Sequence, residues 1–223
     1  MRVSIFLIFP KMLYFFSYLK KPVYIEEYKK LTFLEFLSYI FIYILAIIPI
    51  GIILFLISNG IGLENRQSTL SFQEKIFYGI LFAPIVEEIL FRLILRFNRK
   101  NFLVILTTTL MLSIIFLVKK DLVRVLVFSS LTIVFSLCTM YLEACKDFFM
   151  KYFHIWFYII AGLFGILHIY NYMGINISNL FLSPLFAIPQ FILGILLGYI
   201  RIRNGFFYAL LFHLIMNLSL LMA

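Results

Sequence analysis

The chain has 223 residues, of which 64% are hydrophobic and only 13% charged. A soluble domain carries about 25% charged residues, so a soluble fold is excluded and lipid is the solvent in which this chain folds. The formal charge of +9 is compatible with a nucleic-acid partner, but its placement along the chain points to membrane topology and to anionic lipid, with no nucleic acid.

Taken from the N-terminus, residues 1–35 form a cytoplasmic or interfacial segment. The apolar run "VSIFLIF" is short, Pro10 and Lys11 end it, and no small-residue cleavage site follows, so a signal peptide is not expected. Aromatic and basic residues alternate through "MLYFFSYLKKP" and "IEEYKK". That pattern suits a helix lying in the membrane interface or a solvated arm. Seven apolar runs then approach the roughly 20 residues a crossing needs: about 36–57, 76–95, 102–118, 122–142, 155–171, 181–200 and 206–222. Only "KKD" (119–121) joins the third to the fourth, a tight helical hairpin. Backbone polar groups in lipid must bond within their own helix. The expected fold is therefore all-α, a polytopic transmembrane helical bundle of about seven spans over 36–223, with no soluble domain between spans.

Orientation follows from the basic residues. With the N-terminus inside, Arg2, Lys11, Lys20, Lys21, Lys29, Lys30, Arg96, Arg99, Lys100, Lys146, Lys151, Arg201 and Arg203 fall on the cytoplasmic side. Arg66, Lys75, Lys119 and Lys120 fall outside, with Arg92 and Arg124 left within spans. Thirteen against four predicts a cytoplasmic N-terminus and an external C-terminus. Cys138 and Cys145 have no zinc or disulfide spacing and read as inert. "NIS" at 176–178 is a short sequon match, and no fixed-period repeat is present.

Polar residues at depth are the informative ones, because a charge at mid-helix costs roughly 2.5–3.5 kcal/mol on an insertion scale. The second span holds Glu87, Glu88 and Arg92. Glu88 and Arg92 are four apart on one face with the acid first, the favourable order for an ion pair. Glu87 points about 100° away and has no cation one turn on. Pro84 removes a helix hydrogen bond, which leaves the Ile80 carbonyl without its usual donor and bends the helix. The fifth span ends in "FGILH", Phe164 to His168, and the seventh contains "HLIMN", His213 to Asn217. Two carboxylates, one Arg, two His and one Asn on three spans are satisfied most economically by one shared interior site. His168 is expected to sit shallower than the others.

A carboxylate, two imidazoles and an amide form a hydrolytic set. Glu87 suits the general base for a water held against one His, with the other His and Asn217 as oxyanion donors. Glu88 suits a brace for the helix. A divalent metal such as zinc on Glu87, His168 and His213 is an alternative; no tightly bound metal is the preferred expectation. The helical HExxH motif is absent.

"EEILFR" (87–92), "FGILH" (164–168) and "HLIMN" (213–217) resemble, in order, the EExxxR, FxxxH and HxxxN/D motifs of the CPBP family. That family comprises type II CAAX prenyl endopeptidases and the Abi proteins of bacteriocin processing and immunity. The run "FILGILLGYIRIRNGFFYALLFH" (191–213) is similar to the family as well. The resemblance covers about 76–222, with 102–142 as an inserted hairpin. Leu93 stands where many members have Gly. The resemblance implies an intramembrane endopeptidase acting on a membrane-associated peptide or protein, in which Glu87 and His168 activate water. His213 and Asn217 would hold the oxyanion or help bind a metal, and Glu88 and Arg92 would support the site. The high Ile, Phe, Lys and Asn content suggests a bacterial cytoplasmic membrane, where a prenylated substrate is not expected. A non-proteolytic immunity or scaffold protein on the same fold, and a proton-coupled transporter, are the competing expectations.

Overall fold

The computed structural model describes residues 9–173 and 180–222; the "NIS" triplet at 176–178 lies outside them. Helix α1 (Phe9–Lys20) is followed by an irregular segment to Thr32. There a capping box of Thr32 and Glu35 starts α2 (Phe33–Ile61), which ends on Gly62 in the left-handed region. A second capping box, Ser71 with Glu74, opens the next helix. It runs without a break through α3 (Phe72–Glu74), a π-helical stretch Lys75–Phe82 and α4 (Ala83–Arg92). Asn98 caps α5 (Arg99–Val118), and Asp121 caps α6 (Leu122–Met140) across the expected hairpin. Then come α7 (Leu142–Lys151), α8 (Phe153–Leu167) with a 3₁₀ extension His168–Asn171, α9 (Ser183–Arg203) and α10 (Phe206–Asn217). A two-residue antiparallel ladder, β1 (Glu64–Asn65) with β2 (Tyr172–Met173), is the one sheet among the described residues.

Five of these helices are long and apolar enough to cross a membrane: Phe33–Ile61, Arg99–Val118, Leu122–Met140, Phe153–Asn171 and Ser183–Arg203. Two of the seven expected runs are not among these five. The 76–95 run is a composite helix, 72–92, that carries a π segment and three buried or half-buried charges. The 206–222 run is helical only to Asn217 and continues as 3₁₀ turns. At 1.5 Å per residue α10 rises about 18 Å, short of the ~30 Å hydrocarbon core.

Helix α9 is the axis of the bundle. Of its apolar window 61% is buried inside the protein, against 6% for α6. It packs on α2, α4, α8 and α10, whereas α6 packs chiefly on α5. The α8–α9 contact is close because Gly165 faces the α9 backbone. A Cβ there would lie 2.9 Å from the Ala187 carbonyl oxygen, nearer than side chains pack. This approach brings the end of α8, and so His168, against the centre of the bundle. Leu93 is buried in the same core.

One end of the bundle is fastened by the N-terminal segment. Arg96 donates to the Ile25 and Glu26 carbonyls at 2.8 Å each and lies 3.8 Å over the Tyr28 ring. Arg201 donates to Tyr28 Oη at 3.0 Å, and Asn204 to the Lys29 carbonyl at 2.8 Å. Arg203 pairs with Glu35 at 3.0 Å, and Tyr158 donates to the Leu19 carbonyl. Gly205, at φ 114°, makes a turn that a side chain would strain, and it does so beside Tyr28. Residues 1–35 are thus a packed clasp rather than a free arm over the part described. The β1–β2 ladder lies at the opposite ends of α2 and α8.

Candidate active site

The six polar residues predicted from sequence do come together, on α4, the end of α8 and α10. Glu87 Oε2 lies 3.7 Å from His168 Nε2 and 3.6 Å from His213 Nε2. These separations exceed a direct hydrogen bond, and such gaps are typical of catalytic groups before substrate binds. On the other side of the His213 ring, Nδ1 meets Glu88 Oε1 at 3.0 Å. Arg92 Nε is 3.4 Å from that same oxygen. His168 is not the shallow outlier expected from span boundaries. Helix α8 starts two residues earlier than expected, and the 3₁₀ turn carries the ring inward.

The contacts fix the imidazole tautomers. His168 Nδ1 is 2.7 Å from the Phe164 carbonyl oxygen. A carbonyl only accepts, so Nδ1 carries the hydrogen and Nε2 of the neutral ring presents a lone pair. The Glu88 carboxylate makes the same demand of His213 Nδ1. With both rings in the neutral form, two imidazole lone pairs lie within 3.7 Å of the Glu87 carboxylate oxygen. Phe164 holds the frame: its ring centroid is 4.6 Å from that of His168 and 5.7 Å from that of His213. The Arg92 guanidinium lies 4.4 Å over the same ring.

Asn217 donates to the Gly79 carbonyl at 2.8 Å. Sequence reasoning placed the orphan carbonyl at Ile80, assuming α-helical spacing before Pro84. In the π-helical register the partner of residue i is residue i−5, as in the Ala83 N–H bond to the Tyr78 carbonyl. Pro84 then fails Gly79, not Ile80, and the α10 amide takes that acceptor. The second N–H of Asn217 is left over from this bond.

A cavity of about 150 Å³ opens on Glu87, His168 and Asn217. Tyr43, Asn171, Gln190 and Ser219 also line it, and sequence reasoning missed all four. Gln190 Oε1 is buried with no hydrogen-bond partner among the described residues. Its signal was legible in principle: a Gln after Pro189, inside an otherwise apolar helix. Glu88, Arg92 and His213 lie behind the cavity and are essentially unexposed. A larger hollow, about 610 Å³, lies between α5, α6 and α7 and holds none of the six residues.

Glu87, His168 and His213 were the candidate metal ligands. Among the described residues no group of three or more His, Cys, Asp or Glu is arranged to hold a metal ion.

The family model described as type II CAAX prenyl endopeptidase Rce1-like matches residues 72–219. No curated protein and no solved structure matches the chain. The matched region is about two thirds of the chain and begins at α3, so α1 and α2, with Tyr43, lie outside it.

Proposed function

We propose that this chain, which belongs to the Rce1-like type II CAAX prenyl endopeptidase family, is an intramembrane endopeptidase whose base is Glu87. The observation that carries the reading is the convergence of Glu87 Oε2 with two imidazole Nε2 atoms at 3.6 and 3.7 Å. All three are acceptors in the tautomers described, and water is a donor that satisfies two at once. One water hydrogen points to Glu87 and the other to His168. The remaining lone pair of the water is free to attack a peptide carbonyl.

In the reaction the water oxygen bonds to the carbonyl carbon as Glu87 takes a proton. His213 Nε2 accepts a hydrogen bond from the protonated Glu87, and its own Nδ1–H is held by the Glu88 carboxylate. The spare N–H of Asn217 meets the oxyanion, a donor worth about 10²–10³ in rate. The C–N bond then breaks as the proton passes to the leaving amine. General base catalysis of this kind contributes about 10²–10⁴. The substrate is a membrane-associated peptide or protein, and the site is assigned to the bacterial cytoplasmic membrane with the N-terminus inside.

The test compares cells lacking the protein that are complemented with wild type or with Glu87→Gln. New protein termini in the membrane and medium are mapped by mass spectrometry. Termini that appear with wild type and are missing with Glu87→Gln are expected. Identical termini in both would defeat the proposal and favour a non-proteolytic role.

A further inference from the structure

Helical walls offer a peptide little to bond. Their backbone N–H and C=O groups are satisfied within the helix, so side chains must meet the N–H and C=O groups of a bound chain. Several polar side chains line the cavity besides Glu87 and His168. Ser219 is committed to the Met216 carbonyl at 2.9 Å, and Asn217 to the Gly79 carbonyl at 2.8 Å. Asn171 belongs to the 3₁₀ turn before β2. Tyr43 and Gln190 remain, on the long helices α2 and α9, and neither makes a hydrogen bond among the described residues. Packing fixes the direction of both. Phe36, Tyr39 and Tyr43 recur at three- and four-residue spacing, which puts them on one face of α2. The Phe36 ring lies 5.6 Å from that of Phe212 on α10, and the Tyr39 ring 5.7 Å from that of Tyr199 on α9. That face is thereby turned into the bundle, and Tyr43 is its next residue. On α9, Gln190 shares a face with Leu193 and Leu197, both essentially unexposed, and Leu193 lines the cavity beside it.

A buried amide oxygen without a donor is costly, and Gln190 Oε1 is in that state. A ligand N–H removes the cost. We propose that Tyr43 and Gln190 form a substrate-binding subsite, a pair of hydrogen-bonding side chains that grips the polypeptide backbone next to the bond facing Glu87. The substrate named here rests on the proposed endopeptidase activity. The chemistry matches a peptide unit, which carries one donor and one acceptor. The Tyr43 hydroxyl donates to a substrate carbonyl. The Gln190 amide accepts a substrate N–H, and the soft terminal torsion of the side chain lets it turn to do so. Neither group carries a charge, so the pair reads backbone rather than charged side chains. At about 150 Å³ the cavity is smaller than the roughly 300–1,000 Å³ of a small-molecule pocket, which leaves room for a short stretch of backbone and gives each bond weight. The family match begins at residue 72, so Tyr43 is brought to the cavity by a helix outside the matched region.

The test uses the full chain in lipid nanodiscs and a peptide spanning a Glu87-dependent terminus mapped in cells. Tyr43→Phe removes the hydroxyl and keeps the ring; Gln190→Met removes the amide and keeps the length. Gln190→Asn, which withdraws the amide by one methylene, is the second variant should Gln190→Met not fold. Each change is expected to raise KM about three- to tenfold, the effect of one hydrogen bond, with kcat little changed. The two effects should multiply in the double variant. Thermal unfolding without peptide should stay at or above the wild-type temperature, because neither side chain gives up a bond within the protein. The subsite is overturned if KM is unchanged at either position, or if the loss is confined to kcat and the unfolding temperature, as a purely structural role requires. Glu87-dependent cleavage with wild-type KM in these variants removes the subsite and leaves the protease reading standing. The absence of any Glu87-dependent terminus removes both.

Discussion

Glu87 and Glu88 are adjacent in the chain and sit in different regions of the protein. Glu87, 24% exposed, faces a cavity together with His168 and Asn217; Glu88, 0% exposed, faces Arg92 and His213 inside the bundle. The first region has polar atoms with room before them. The second has polar atoms pressed against one another and against the ring of Phe164. His213 joins the two, with one nitrogen toward each glutamate. One step along a helix, about 100° of rotation, is enough to send two adjacent carboxylates into such different surroundings.

The largest expected effect falls on the buried region. Glu88→Gln keeps an acceptor for His213 but leaves the Arg92 guanidinium without its carboxylate. Losing one partner of a buried pair costs about 3–5 kcal/mol, so thermal unfolding in detergent should shift sharply downward. Adding Arg92→Gln should restore part of the loss. A Glu88→Gln protein as stable as wild type would erase the distinction between the regions. Phe164→Leu strikes the shared ring. It removes a desolvated cation–π contact worth about 2 kcal/mol and loosens both imidazoles, so stability and cleavage rate should fall together. A loss in only one of them would show that the ring serves a single region.

Asn217→Leu sharpens the comparison from the cavity side. It frees the Gly79 carbonyl, an interhelical bond worth roughly 0.6–1.7 kcal/mol. Under the proposed mechanism it also removes an oxyanion donor, so the rate should drop far more than stability; a pure stability loss would assign Asn217 to helix packing alone. The smallest effect is expected away from both regions. Ser113 and Ser129 bond at 2.7 Å between α5 and α6. Replacing both by Ala should change stability by less than about 1 kcal/mol and leave cleavage unchanged in a membrane-based assay.

What was legible in the sequence was local. The Glu88–Arg92 pair follows from spacing on one helix, and the apolar runs mark the crossings because lipid demands them. Interhelical partners were not legible. That His213 bonds Glu88 as well as facing Glu87 depends on where α10 lies against α4. The Gly79–Asn217 bond depends on a π register that no apolar count reveals. Tyr43 and Gln190 were passed over because each is a lone polar group in an apolar helix; only the fold aims them into the cavity. The clasp was missed for a related reason: its arginines read as topology signals, yet Arg96 is committed to the Ile25 and Glu26 carbonyls and Arg201 to the Tyr28 hydroxyl.

The most direct measurement compares purified wild type, Glu87→Gln and Glu88→Gln in lipid nanodiscs. Cleavage of a peptide spanning a Glu87-dependent terminus is followed beside thermal unfolding of the same samples. The account predicts that Glu87→Gln unfolds at the wild-type temperature with turnover reduced by about 10²–10⁴, while Glu88→Gln unfolds at a markedly lower temperature and keeps measurable turnover when assayed well below it. Substantial turnover by Glu87→Gln, or a stable and inactive Glu88→Gln beside an unstable Glu87→Gln, would contradict it.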